Sequence, residues 1–163
     1  MEHIISSTPG EIDYWRYHHY VESIRNRLPS HVYAFASNFD HFGLESHNSL
    51  HDAWLEKLTV DEIAEGERQE TRRLGIRLSL LGPFYDRRIH LHDTGVTRYC
   101  FDTPPRYGNP RFTGHGDLFT HEIRLGQNGL LVHELMFMRD AIFLIESADI
   151  RHSEELIAKP NKM

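Results

Sequence analysis

The sequence predicts an α+β domain in which two N-terminal helices pack on an antiparallel sheet or partial barrel of about seven strands. Three observations predict it. Apolar residues recur with helical spacing over the first part of the chain. Short apolar and β-branched runs divided by turn residues follow from Trp54 onward. Between the two textures lies a polar, imidazole-rich junction, His47-Asn48-Ser49-Leu50-His51-Asp52-Ala53. The 163 residues suit a single domain, with a helical layer over about 8–46, a β region over about 53–151 and a disordered tail over about 153–163.

Thr8-Pro9-Gly10-Glu11 has the form of a capping box with Pro at the first helical position, so a helix is expected to begin there. Tyr14, Tyr17, Val21, Ile24 and Leu28 recur at intervals of three and four and form its core-facing stripe, and Leu28-Pro29 stops it. Ser30 is placed to cap a second, shorter helix in which Val32, Phe35, Ala36 and Phe39 share a face. The spacing of Val32, Ala34 and Ala36 also suits a strand, and the helix is preferred.

The strands are expected at Trp54–Ile63, Leu74–Leu81, Arg87–His92, Val96–Phe101, Leu118–Leu125, Leu130–Met138 and Ala141–Ile150. Gly66, Gly82-Pro83, Thr94-Gly95, Asn128-Gly129 and Arg139-Asp140 punctuate them, and such short links favour antiparallel neighbours. Asn128-Gly129 is the best hairpin signal, because Asn-Gly supplies the positive φ angles of a two-residue primed turn. Ile76, Leu78 and Leu80 alternate with Arg77 and Ser79, as in a strand with one wet face. The unbroken run Ala141-Ile142-Phe143-Leu144-Ile145 instead reads as a central strand covered on both sides.

Composition narrows the function. A formal net charge of −6 argues against a general affinity for nucleic-acid backbones, although residues 1–66 carry 11 acids against 4 bases and residues 67–163 carry 13 against 14. Cys100 is the only cysteine, which rules out an internal disulfide. No apolar stretch reaches signal or membrane-spanning length, so a cytoplasmic protein without membrane association is expected.

The connection Asp102–Asp117 is long enough to be a binding segment, and Arg106, Tyr107, Arg111 and Phe112 carry the side chains that dominate protein contacts. These four are the candidate partner-binding residues; a loop folded back on the sheet is the plainer alternative. His51 and Asp52 are expected to be structural, satisfying main-chain groups where the helical layer meets the first strand.

Thirteen histidines raise the question of a metal. His90 and His92 fall on one face of a strand, and His121-Glu122 and His133-Glu134 fall on neighbouring strands. The glycines and downstream carboxylate of cupin-like His-x-His motifs are not at their usual spacing, however, and neither a metal nor another cofactor is expected. Ser49, His51 and Asp52 are too close in sequence to make a hydrolytic triad. Cys100 reads as a small core residue, and His18-His19 as a partly wet helix face, so no catalytic residue is assigned.

Leu28-Pro29-Ser30-His31-Val32-Tyr33-Ala34-Phe35-Ala36-Ser37 and Ser49-Leu50-His51-Asp52-Ala53-Trp54-Leu55, with Thr120-His121-Glu122-Ile123 and His133-Glu134-Leu135-Met136-Phe137, resemble an uncharacterised family of small bacterial proteins with a Leu-His-Asp-Ala or Leu-His-Asp-Ser junction. Similar junctions occur in immunity proteins that neutralise contact-dependent toxins. The resemblance implies a compact α+β inhibitor or adaptor without a catalytic centre, and it carries over no residue role. The expected function is therefore non-enzymatic binding of another protein; the alternative is a small metal-dependent or hydrolytic enzyme that uses the strand histidines.

Overall fold

A computed structural model describes residues 1–5, 11–105 and 114–157. It contains the expected α+β architecture, with N-terminal helices and antiparallel strands, but the strands among the described residues number eight and form two sheets. In the first sheet β1 (Trp54–Glu65), β2 (Thr71–Leu81), β3 (Arg87–Thr94) and β8 (Asp149–Leu156) lie in that order. In the second the order is β4 (Arg98–Asp102), β7 (Ile142–Ser147), β6 (Leu131–Phe137) and β5 (Leu118–Leu125). The sheets share one core. Ile76, Leu78, Leu80, Ile89, Leu91 and Ile150 from the first meet Ile123, Leu135, Phe137, Phe143 and Ile145 from the second.

The eighth strand comes from the stretch Ala141–Ile150, which is two strands rather than one. At Ala148 the chain leaves the second sheet and enters the first, its N–H donating to Thr94 O and Gly95 O at 3.0 and 3.2 Å. Gly95 makes the crossing possible: its φ is +62°, and a Cβ there would stand 2.9 Å from the Ala148 side chain. The strand Ile142–Ser147 is central, as expected, yet only one face is fully covered, since Ile142 is exposed and Leu144 half-buried. Residues Ser153–Leu156, expected in a disordered tail, complete β8 and pair with Arg87–His90.

Helix α1 spans Tyr14–Ser23 and is capped by Asp13, whose carboxylate accepts the Arg16 N–H at 2.8 Å. It begins later than the capping box suggested, because Ile12 bridges to Ile5 and the Asp13 N–H donates to Ile4 O, which keeps this stretch extended. Thr8, Pro9 and Gly10 lie outside the described residues. Tyr17, Val21, Ile24 and Leu28 are buried as the spacing predicts, although a 3₁₀ turn, Arg25–Arg27, takes over after the helix ends. Helix α2, Ser30–Ala36, has Pro29 at its cap and no side-chain capping bond, so Ser30 opens the helix instead of capping it. Val32, Phe35 and Ala36 are buried. Phe39 leaves their face because a second 3₁₀ turn, Phe39–His41, rotates it outward.

The β5–β6 hairpin closes over Gly126–Leu130, a wider turn than the two-residue form. Only Gly129 is left-handed (φ +80°), and the Asn128 side chain accepts the Leu130 N–H at 3.0 Å. No described helix is long and apolar enough to cross a membrane.

Candidate functional site

The junction His51-Asp52 works through one side chain and one stretch of backbone. His51 Nδ1 lies 2.6 Å from Phe119 O and donates to it, which satisfies a carbonyl on the free edge of β5. Asp52 departs from expectation: its carboxylate is half exposed and lies 3.5 Å from His51 Nε2. Its contribution is main-chain, a left-handed residue (φ +63°) whose N–H donates to Leu118 O at 2.9 Å. The Ser49 hydroxyl accepts the His51 backbone N–H at 3.1 Å and faces His41 O, so it does not address the His51 ring. These three residues form a chain crossing, not a nucleophilic relay.

Of the other sequence candidates, Arg106, Tyr107, Arg111 and Phe112 lie outside the described residues. Cys100 is exposed on β4, not in the core, because it faces outward opposite Leu144. His18 is half-buried beside Trp15 and Phe39, and His19 is exposed.

The strand histidines do not converge. His90 and His92 share the outer face of the first sheet, where Ser79 and Ser153 flank His90 and Arg77 and Arg151 flank His92. Burial lowers the His92 pKa, and the Arg77 charge lowers it further. His121 and His133 belong to the second sheet and point inward; Glu122 and Glu134 point the other way. A metal set joining all four histidines is thus precluded by the layers themselves.

What the fold does assemble is a buried polar seam between the sheets. Asp93, fully buried on β3, accepts the Ser147 hydroxyl at 3.0 Å with Oδ1, and its Oδ2 stands 3.6 Å from His133 Nδ1. His133 meets His121 edge-on, with ring centroids 5.9 Å apart, and His121 is stacked on Phe42 and Phe35. Phe35 in turn stacks on His152 at 4.7 Å, and His152 lies 4.8 Å from the His41 ring. Among the described residues, both ring nitrogens of His121 and of His133 lack a hydrogen-bond partner. Burial, followed by the other imidazoles, holds His121 well below its ordinary pKa, so its ring is neutral.

The seam ends at a cleft of about 570 Å³ whose walls include His31, Phe35, Asn38, His41, His152 and Glu154. There the ligand atoms of His41, His152 and Glu154 lie within 4.8 Å of one another. His152 and Glu154 share the inner face of β8; His41 comes from the turn after α2. Sequence reasoning missed this trio. The alternation His152-Ser153-Glu154 was visible, but a tail assigned as disordered hid it, and nothing local ties it to His41.

The sheet edges are unequal. The edge of β5 is occupied by side chains: the Tyr17 hydroxyl accepts Ile123 N–H at 2.8 Å, the Tyr20 hydroxyl accepts Leu125 N–H at 2.9 Å, and His51 takes Phe119 O. Strand β8 lies beside α2. Strand β1 pairs with β2 alone, and beyond Trp54 no main-chain hydrogen bond from another described element reaches its outer edge. Comparison of the chain with protein-family models and with curated proteins finds no match.

Proposed function

We propose that this chain is a non-enzymatic, cytoplasmic binding protein of the immunity type, which holds a protein partner by accepting an extended segment along β1. The observation that carries this reading is the contrast between sheet edges. A strand edge presents unpaired N–H and C=O groups, and folded proteins usually blunt it. Here Tyr17, Tyr20 and His51 blunt β5, while the twelve-residue β1 is left open and is the longest strand of the fold. Its length exceeds what the core needs. From Val60 through Arg73 no residue is buried, so the far half of the β1–β2 hairpin stands clear of the core. Trp54, Val60 and Ile63, at 54%, 40% and 37% exposure, supply apolar contacts along it. Strand addition draws affinity from main-chain bonds and specificity from alternate side chains, and this strand offers both.

The test is amide hydrogen exchange on the full chain, alone and with the purified product of the adjacent reading frame. Slowed exchange over residues 57–65 is expected in the complex. Absence of a complex, or protection confined to residues 102–117 or to the helices, overturns the edge reading.

A further inference from the structure

We propose that His41, His152 and Glu154 form a binding site for one divalent transition-metal ion of borderline softness, such as zinc or cobalt, at the inner end of the cleft. This goes beyond the binding-protein reading and does not depend on it.

Geometry comes first. On a four-coordinate ion with bonds of about 2.0–2.2 Å, donor atoms stand roughly 3.4 Å apart. The three donors already lie within 4.8 Å, and His152 Nε2 to Glu154 Oε1 is 3.4 Å. Small side-chain rotations close the remainder. The backbone arranges this economically, since residues two apart on a strand share a face and β8 therefore delivers an imidazole and a carboxylate side by side.

Each donor is also oriented from behind. His41 Nδ1 lies 3.0 Å from Phe35 O, and a carbonyl can only accept, so Nδ1 carries the proton and Nε2 carries the lone pair. Among the described residues that lone pair meets only the Asn38 side-chain amide, at 3.3 Å. Such a bond from the non-ligating nitrogen to a carbonyl is the usual support of a metal-binding histidine. The His152 ring is fixed by stacking on Phe35, and its buried Nε2 has no hydrogen-bond partner among the described residues. Glu154 is held by Arg87, whose guanidinium reaches Oε2 at 2.6 Å and is itself tied to Asp86 and Asn48, which leaves Oε1 turned toward His152.

The donor set selects the ion. Two imidazole nitrogens and one carboxylate oxygen suit zinc, cobalt or nickel and are poor for calcium or magnesium, which take oxygen. The remaining coordination positions face the cleft. His31 is engaged with Asp149 at 2.5 Å, and His90 faces outward near Glu155 at 3.5 Å, so neither completes the set.

The experiment uses the full chain without an affinity tag, stripped of metal and titrated with Co²⁺ and then Zn²⁺. Saturable binding of one Co²⁺ per chain, with visible ligand-field bands that Zn²⁺ abolishes, is expected. Glu154→Gln and His152→Gln should each weaken it by more than about 100-fold, while the His90→Gln/His92→Gln double variant leaves it unchanged. As a readout that needs no variant, Zn²⁺ should shift the imidazole NMR signals of His41 and His152 before those of any other histidine. Failure to bind one ion per chain, retention of binding in His152→Gln and Glu154→Gln, loss of binding in the double variant, or first shifts elsewhere overturns the site.

Discussion

His121-Glu122 and His133-Glu134 are neighbours along the chain and again across it, yet the two faces of this strand pair treat buried polarity in opposite ways. On the inner face the imidazoles are packed like aromatic side chains, between Phe35, Phe42 and each other, with no hydrogen bond from the described residues to any ring nitrogen. On the outer face the carboxylates are saturated. Glu122 accepts the N–H groups of Glu2, His3 and Ile4 at 3.0, 2.8 and 2.8 Å, and Glu134 meets the Met1 ammonium at 2.7 Å. Glu122 and Glu134 sit directly opposite one another, a repulsive arrangement that Arg124 resolves by reaching both, at 3.5 and 2.7 Å. The difference follows from charge. An imidazole gives up its proton to enter a core, whereas a carboxylate that stays ionised has to bring its solvation with it, here as backbone amides and a guanidinium.

The sharpest way to break this comparison is to remove one carboxylate. Glu122→Ala leaves three N–H groups and part of the Arg124 charge without their partner in a buried site, and its loss should cost about 3–5 kcal/mol. Denaturant unfolding measures it. A cost below about 1 kcal/mol would show that the amide cluster contributes no more than a surface pair.

The imidazole face should reveal itself through pH. His121 has a folded-state pKa well below 6.5, so the unfolded chain takes up a proton near that value while the native ring stays neutral. Stability is therefore greatest above the unfolded pKa and falls on acidification, by about 1.4 kcal/mol per pH unit per such histidine once well below it, until the folded pKa is reached. The groups facing His121 across the seam are His133, His41 and His152, and none supplies a compensating negative charge. Thermal melts at about pH 7.5 and about pH 5.5, at equal ionic strength, should give the lower midpoint in acid. A higher midpoint there would mean that paired histidines dominate.

How much of this was legible in the sequence depends on the range of the interaction. The α1 stripe was readable because Tyr17, Val21, Ile24 and Leu28 report a local period, and most strands were readable because turn residues bound them. Ala141–Ile150 was misread, since unbroken apolarity looks the same whether one strand continues or two strands enter different sheets. Alternation puts neighbouring residues of β5 and β6 on opposite faces but does not say which face is the core. That is decided by Phe35 and Phe42 on one side and by the Met1–Ile4 segment on the other. His41 and His152 meet only after both sheets and α2 are in place.

Asp52 was expected to act by its carboxylate and acts by its backbone, and a paired substitution separates the two. Asp and Asn tolerate a left-handed φ better than alanine does, and glycine tolerates it best. Asp52→Ala should lower stability by about 1 kcal/mol, and Asp52→Gly should leave it unchanged or slightly raised. Equal losses in both variants would restore the carboxylate to the structural role.

The smallest expected effect is the most discriminating for the inner face. His121 is fully buried between two phenyl rings, 4.7 Å from Phe42 at an interplanar angle of 4°, and neither of its nitrogens has a hydrogen-bond partner to lose. Replacing an unsatisfied buried polar group by an apolar one of similar shape removes a desolvation cost, while a slightly larger ring adds some crowding. His121→Phe at neutral pH should therefore change stability by less than about 1 kcal/mol and should narrow the gap between the two melting midpoints, because the ring that resists protonation is gone. A loss as large as that of Glu122→Ala would mean that the imidazole nitrogens are bonded in solution, and that the two faces of the strand pair follow the same rule after all.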